Sequence, residues 1–162
     1  MGLDFDPIEE ASRQWALHWD KVPAMHAVTS LMRVQQLVLA HLDSILKPHG
    51  LTFARYEALV LLVFSSQGSL PMGKMGERLQ VHPTSITSII NRLESAGLVV
   101  RRQHPVDRRA VLAEVTPAGR ALVEEATADL LAADFGLSAL SDEQLEAVSS
   151  LLLPIRRAAG DF

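Results

Sequence analysis

The sequence predicts a mainly α, α+β fold: a helix-turn-helix with a small β-hairpin wing, flanked at both ends by helices suited to dimerisation. Three observations predict it. Ile86, Ile89, Ile90 and Leu93 fall at i, i+3, i+4 and i+7, one apolar stripe on a helix, with Thr84, Ser88, Asn91 and Ser95 opposite and Ser85, Thr87 and Arg92 at the borders. Just upstream, Met72, Met75 and Leu79 are apolar at helical spacing and connect to that helix through Gln80-Val81-His82, a helix-turn-helix pattern. After Gly97 the period becomes extended: Leu98-Val99-Val100 and Val111, Ala113, Val115 bracket a basic, turn-rich tip, as in a hairpin.

Each element has its own signal. Asp6-Pro7-Ile8-Glu9 opens a short helix with an Asp cap and a first-position Pro, and Ile8, Ala11, Trp15 and Trp19 recur along one face. Lys21-Val22-Pro23 interrupts it, a long helix is expected over about residues 24–46, and Pro48-His49-Gly50 ends that helix. Thr52 is positioned to cap the next helix, whose Ala58–Phe64 run is apolar nearly all round. Pro83 begins the polar-faced helix, where its missing N–H costs nothing, and Gly97 supplies the left-handed residue that ends it. His82 caps poorly by type, so that helix start is expected to be less firmly held, or His82 to contact DNA itself. Thr116-Pro117 opens a helix to about residue 135. Ser141-Asp142-Glu143 opens the last one, which Pro154 is expected to bend or end.

A helix buried on one side and lined on the other by short hydroxyl side chains and an arginine suits a major groove. Short side chains let the backbone approach, and arginine reaches a guanine edge or a phosphate. Thr84, Ser85, Thr87, Ser88 and Arg92 are the base-reading candidates. Lys74, Arg78, Arg101 and Arg102 are phosphate candidates. The net charge of −4 looks wrong for a DNA binder until it is divided. Residues 72–116 hold seven basic and four acidic side chains, +3, while the rest of the chain holds eight and fifteen, −7.

Length fits a single domain over residues 1–162, with residues 7–47 and 117–160 as dimerisation helices around a DNA-binding region at 52–116. The composition, 48% hydrophobic and 21% charged, is that of an ordinary globular protein. The longest apolar run is seven residues, Ala58 to Phe64, well short of the roughly twenty that span a bilayer. An acidic beginning without a signal pattern and the absence of cysteine make the cytoplasm the expected location and exclude a thiol-based oxidant sensor.

Residues 97–119, GLVVRRQHPVDRRAVLAEVTPAG, resemble the wing signature of MarR-type winged helix-turn-helix regulators. Asp107-Arg108-Arg109 fills the family's Asp-x-Arg, and Val115-Thr116-Pro117-Ala118-Gly119 fills its Leu-Thr-x-x-Gly with Val for Leu. The resemblance implies a homodimer on a pseudo-palindromic operator of double-stranded DNA, with recognition helices about one DNA turn, ~34 Å, apart. It implies that Arg109 enters the minor groove at the wing tip, oriented by Asp107. A narrow minor groove concentrates the negative potential that attracts arginine. Arg108 then meets phosphate. The family also senses small molecules, often aromatic acids or phenols; Trp19, His26, Arg33, Arg55 and Tyr56 are the residues here that could serve.

No Ser-His-Asp or paired-carboxylate pattern points to an enzyme, and no cofactor motif is present. The six histidines are scattered without metal-ligand spacing, which leaves a metal-responsive regulator as an alternative and no metal ligand to name. A winged-helix scaffold that binds only protein is the other alternative.

Overall fold

Asp6 opens α1 (Pro7–Ala16), its carboxylate accepting the backbone N–H groups of Ile8 at 2.8 Å and Glu9 at 3.3 Å. The computed structural model describes residues 2–107 and 109–162. Trp19 is not on α1. The chain leaves the helix after Ala16, and the Trp15 indole N–H donates to the Asp20 carbonyl at 2.9 Å, closing the turn. Trp19 packs on Trp15, centroids 4.7 Å apart, and stays 61% exposed.

The second helix, α2 (Val22–Leu46), begins two residues earlier than expected. Lys21 takes the left-handed conformation (φ 57°) and makes the break, so Val22 and Pro23 form the first turn, where proline loses no hydrogen bond. A 3₁₀ turn, Lys47–His49, follows, and Gly50 (φ 69°) ends it. The third helix, α3 (Phe53–Val63), buries Tyr56, Ala58, Leu59 and Leu62, but Phe64 just beyond it is 82% exposed. Its cap is not the Thr52 hydroxyl. The Phe53 N–H donates to Asp43 Oδ1 at 2.7 Å, so α2 supplies the cap, and Thr52 Oγ1 accepts from Arg55 Nε instead. Desolvation by burial raises the Glu57 carboxyl above its ordinary pKa.

The sheet has three strands, not two. β1 (Ser69–Pro71), β2 (Val99–Gln103) and β3 (Val111–Val115) are antiparallel in the order β1-β3-β2, with Leu70 and Arg101 both opposite Ala113. A three-residue strand is too short for alternation to announce it. Between β1 and β2 stand α4 (Met72–Leu79) and α5 (Pro83–Ser95), and Gln80 turns between them in the left-handed region (φ 53°). Met75, Ile86, Ile90 and Leu93 join Leu59, Leu62, Val99 and Ala113 in the core, so the predicted stripe of α5 faces inward, with Ile89 partly buried beside it.

The sixth helix, α6 (Pro117–Ala132), stops short of residue 135 because Asp134 and Phe135 take positive φ. It supplies Val123, Ala126 and Leu130 to the core. The last helix, α7 (Asp142–Ala158), starts with a reciprocal capping box between Ser141 and Gln144. Pro154 does not end it; the helix runs four residues further. None of its residues is buried, and Leu151 is 74% exposed. Among the described residues, no helix is long and apolar enough to cross a membrane.

Candidate nucleic-acid interface

His82 does cap α5, contrary to expectation for its type. Its Nδ1 accepts the Thr84 backbone N–H at 3.2 Å, and Pro83 removes another donor from that turn. With the stripe of Ile86, Ile90 and Leu93 anchored in the core, Thr84, Ser85, Thr87, Ser88 and Arg92 all stand exposed on the outer face. The Thr87 hydroxyl donates back to the Pro83 carbonyl at 2.9 Å, which leaves it an acceptor toward a ligand. The structure thus brings the predicted base-reading set onto one surface.

The phosphate candidates divide. Lys74 and Arg78 are exposed on α4 and in no ion pair among the described residues. Arg101 is committed to the protein: it bonds Glu94 Oε2 at 2.8 Å and also Asn91 Oδ1, bracing β2 against the end of α5. Arg102 Nε lies 3.4 Å from Glu114 Oε2, on an exposed side chain.

The wing tip is held by a group that the sequence reading passed over. His104 Nδ1 accepts the N–H of Val106 at 3.3 Å and of Asp107 at 3.0 Å, and the His104 backbone N–H donates to the Ala110 carbonyl at 3.1 Å. Asp107 then acts on backbone: its Oδ1 accepts the Arg109 N–H at 2.9 Å. The contact between Asp107 and Arg109 therefore runs through the Arg109 main chain. Arg109 projects exposed. Arg108 lies outside the described residues. A lone histidine before a proline gives no periodic signal, which is why His104 was missed.

The five ligand candidates are not gathered in one cavity. Tyr56 is a core residue whose hydroxyl pairs with Thr127 Oγ1 at 2.8 Å. His26 Nε2 lies 3.6 Å from Glu9 Oε2. Arg33 opens onto a cleft of 320 Å³ between α1 and α2, with Pro7, Ile8, Val28 and Met32. Arg55 opens onto another, and Trp19 stays with Trp15. A larger cavity, 740 Å³, lies between α4 and the start of α5, where Asp161 from beyond α7 reaches the Gln80 side chain at 3.0 Å. Among the described residues, no three His, Asp or Glu side chains converge on a point where a metal ion could sit.

Residues 51–111 match the MarR family model. The crystal structure of Sco5413, a MarR family transcriptional regulator from Streptomyces coelicolor, superposes with a TM-score of 0.82 at 54% identity, covering 88% of this chain and 99% of that one. This chain belongs to the MarR family. As such it is a transcriptional regulator by family, and the MarR winged helix-turn-helix is the fold described above. The HTH-type regulator MhqR of Bacillus subtilis is 29% identical over 133 residues, 82% of this chain and 90% of that protein. CouR of Rhodococcus jostii RHA1, another structural neighbour, is solved bound to p-coumaroyl-CoA (28% identity, TM-score 0.67, 77% of this chain and 87% of that one). It is also solved on a 23-mer DNA duplex (26% identity, TM-score 0.71, 78% and 89%).

Proposed function

We propose that this chain is a sequence-specific DNA-binding regulator that acts as a homodimer on a pseudo-palindromic operator and is modulated by a small aromatic or acidic ligand. One observation carries the DNA reading: the polar set from Thr84 to Arg92 and the Arg109 wing tip are exposed together, while the apolar side of α5 is locked in the core. α5 would read the major groove and Arg109 the minor groove, with Lys74 and Arg78 on phosphates. The dimer reading is supported by apolar side chains left exposed on α2 (Val28, Leu31, Met32, Leu37) and on α7 (Val148, Leu151, Ile155). The ligand reading is supported by the α1–α2 cleft, where an apolar lining meets Arg33, and by what CouR binds.

A gel shift with the intergenic DNA beside the chain's own gene tests this. Retarded DNA, with competition by specific but not scrambled duplex, is the expected result. No retardation at micromolar protein would favour a protein-binding scaffold instead. In that case co-purification, not DNA, is where a partner should be sought.

A further inference from the structure

Arg55 has surroundings that suit an anion better than an aromatic effector. It stands on the first turn of α3, where Nε donates to Thr52 Oγ1 at 3.2 Å and Nη1 to the Gly50 carbonyl at 3.0 Å. Those two bonds fix the guanidinium plane and spend only part of its donors, since arginine carries five N–H groups. Arg55 also lines a cleft of 320 Å³ whose other wall is α5, contributed by Ser88, Ile89 and Arg92. No carboxylate lines this cleft.

Charge supports the reading. Arg101 and Arg102 are each matched by a glutamate, whereas neither Arg55 nor Arg92 is in an ion pair among the described residues. Two guanidinium groups lining one cleft repel each other, and an anion bound between them relieves that repulsion. Two hydroxyls add further donors. A ligand surrounded by donors from two directions must accept from all of them and carry negative charge, which is the chemistry of a phosphate-type oxyanion.

We propose that Thr52, Arg55, Ser88 and Arg92 form a binding site for a phosphate-type oxyanion, occupied by a backbone phosphate when α5 lies in the major groove. The DNA source rests on the DNA-binding reading above; a free phosphate in solution is the other source of the same chemistry. On this account α3 joins the interface through its first turn, and Arg92 serves as one arm of a phosphate clamp. The clamp would set how deeply the hydroxyls of α5 enter the groove.

The test uses full-length Arg55→Gln and Arg92→Gln. Glutamine removes the charge and keeps a donor for Thr52 and Gly50, so folding is checked by thermal melting before either arm. In the DNA arm, each variant should bind operator and scrambled duplex about three- to tenfold more weakly, by the same factor on both, as loss of a phosphate contact does. The slope of log K against log salt should become shallower by roughly 1–2 per dimer. In the second arm, inorganic phosphate should raise the melting temperature of the unmodified protein more than equal ionic strength of chloride does, and each variant should lose that difference. Loss in the DNA arm assigns the site to the backbone. Loss in the phosphate arm alone assigns it to a free anion, and also holds if the protein binds no DNA at all. Variants that match the unmodified protein in both arms overturn the site, even where Arg109→Ala weakens operator binding.

Discussion

At the scale of single residues, the wing tip is the sharpest place to test the molecule. Arg109 is exposed and packs against little, so Arg109→Ala should weaken operator binding by about 1–3 kcal/mol, the size of a good groove contact. Its melting temperature should stay near that of the unmodified protein, whereas Leu93→Ala, in the core, should lose about 2–5 kcal/mol of stability. Operator affinity unchanged by Arg109→Ala would remove the wing from the interface. Asp107→Ala should cost less, since its carboxylate acts through one backbone bond. Arg108→Ala should lower affinity on all sequences alike. His104 gives a separate prediction. His104→Leu removes the acceptor for two backbone N–H groups and should weaken binding about two- to tenfold, while His104→Asn, which can accept the same N–H groups in a turn, should recover most of it. In an Arg109→Ala background the His104→Leu penalty should vanish, which a purely structural role for His104 would not produce. Arg109 was legible because its motif places it; His104 was not, because accepting two amides depends on a tautomer and a turn that no residue spacing displays. Tyr56, a ligand candidate by residue type, sits in the core with its hydroxyl paired to Thr127.

At the scale of elements, the join between wing and α6 is where the fold has least room. Thr116 Oγ1 accepts the Gly119 N–H at 3.0 Å and donates to the Gly97 carbonyl at 2.8 Å, so one hydroxyl caps α6 and ties it to the end of α5. A Cβ on Gly119 would lie 2.3 Å from the Leu98 carbonyl oxygen and 2.9 Å from Val115 Cγ2. Gly119→Ala should therefore destabilise the protein by about 1–3 kcal/mol, despite alanine's better helix propensity, because β2 or α6 must shift. A chemical denaturation midpoint equal to that of the unmodified protein would show that the join yields freely. The element order, the inward stripe of α5, the wing strands and the caps at Asp6 and Ser141 were all readable, since each follows from local period or cap chemistry. The start of α2 at Val22, the stop of α6 at Ala132, the cap that Asp43 lends α3 and the strand Ser69–Pro71 were not. Each depends on a left-handed residue of an unlikely type, on a partner ten residues away, or on pairing with β3, and none of these leaves a mark on nearest neighbours. Pro154 does not end α7: a helix on the surface tolerates the missing bond.

At the scale of the whole molecule, assembly and electrostatics must agree. A 17.7 kDa chain leaves Leu31, Met32 and Leu37 of α2 and Leu151 and Ile155 of α7 in water, and such exposed apolar side chains favour association with a second copy. Sedimentation at micromolar concentration should give twice that mass; a monomer that still binds operator would sink the dimer. On the proposed reading, charge then sets how a dimer would meet DNA. The +3 of residues 72–116 against the −7 elsewhere is an asymmetry, not a surplus, so attraction is confined to the α5 and wing face and the remainder repels the duplex. The structure sharpens this, because Arg101 and Arg102 are already matched by Glu94 and Glu114, which leaves Lys74, Arg78, Arg92 and Arg109 among the described cations of that region in no ion pair. If each protomer neutralises about three to five phosphates, the dimer's slope of log K against log salt should fall between roughly −5 and −9. With so few unpaired cations per protomer the shallower half of that range is expected, and Arg102→Ala should move the slope less than Arg92→Gln does. A slope near zero would mean that the basic face does not meet DNA. A slope steeper than the range would mean that Arg101 or Arg102 leaves its glutamate on binding, with Glu94→Gln then raising affinity at low salt.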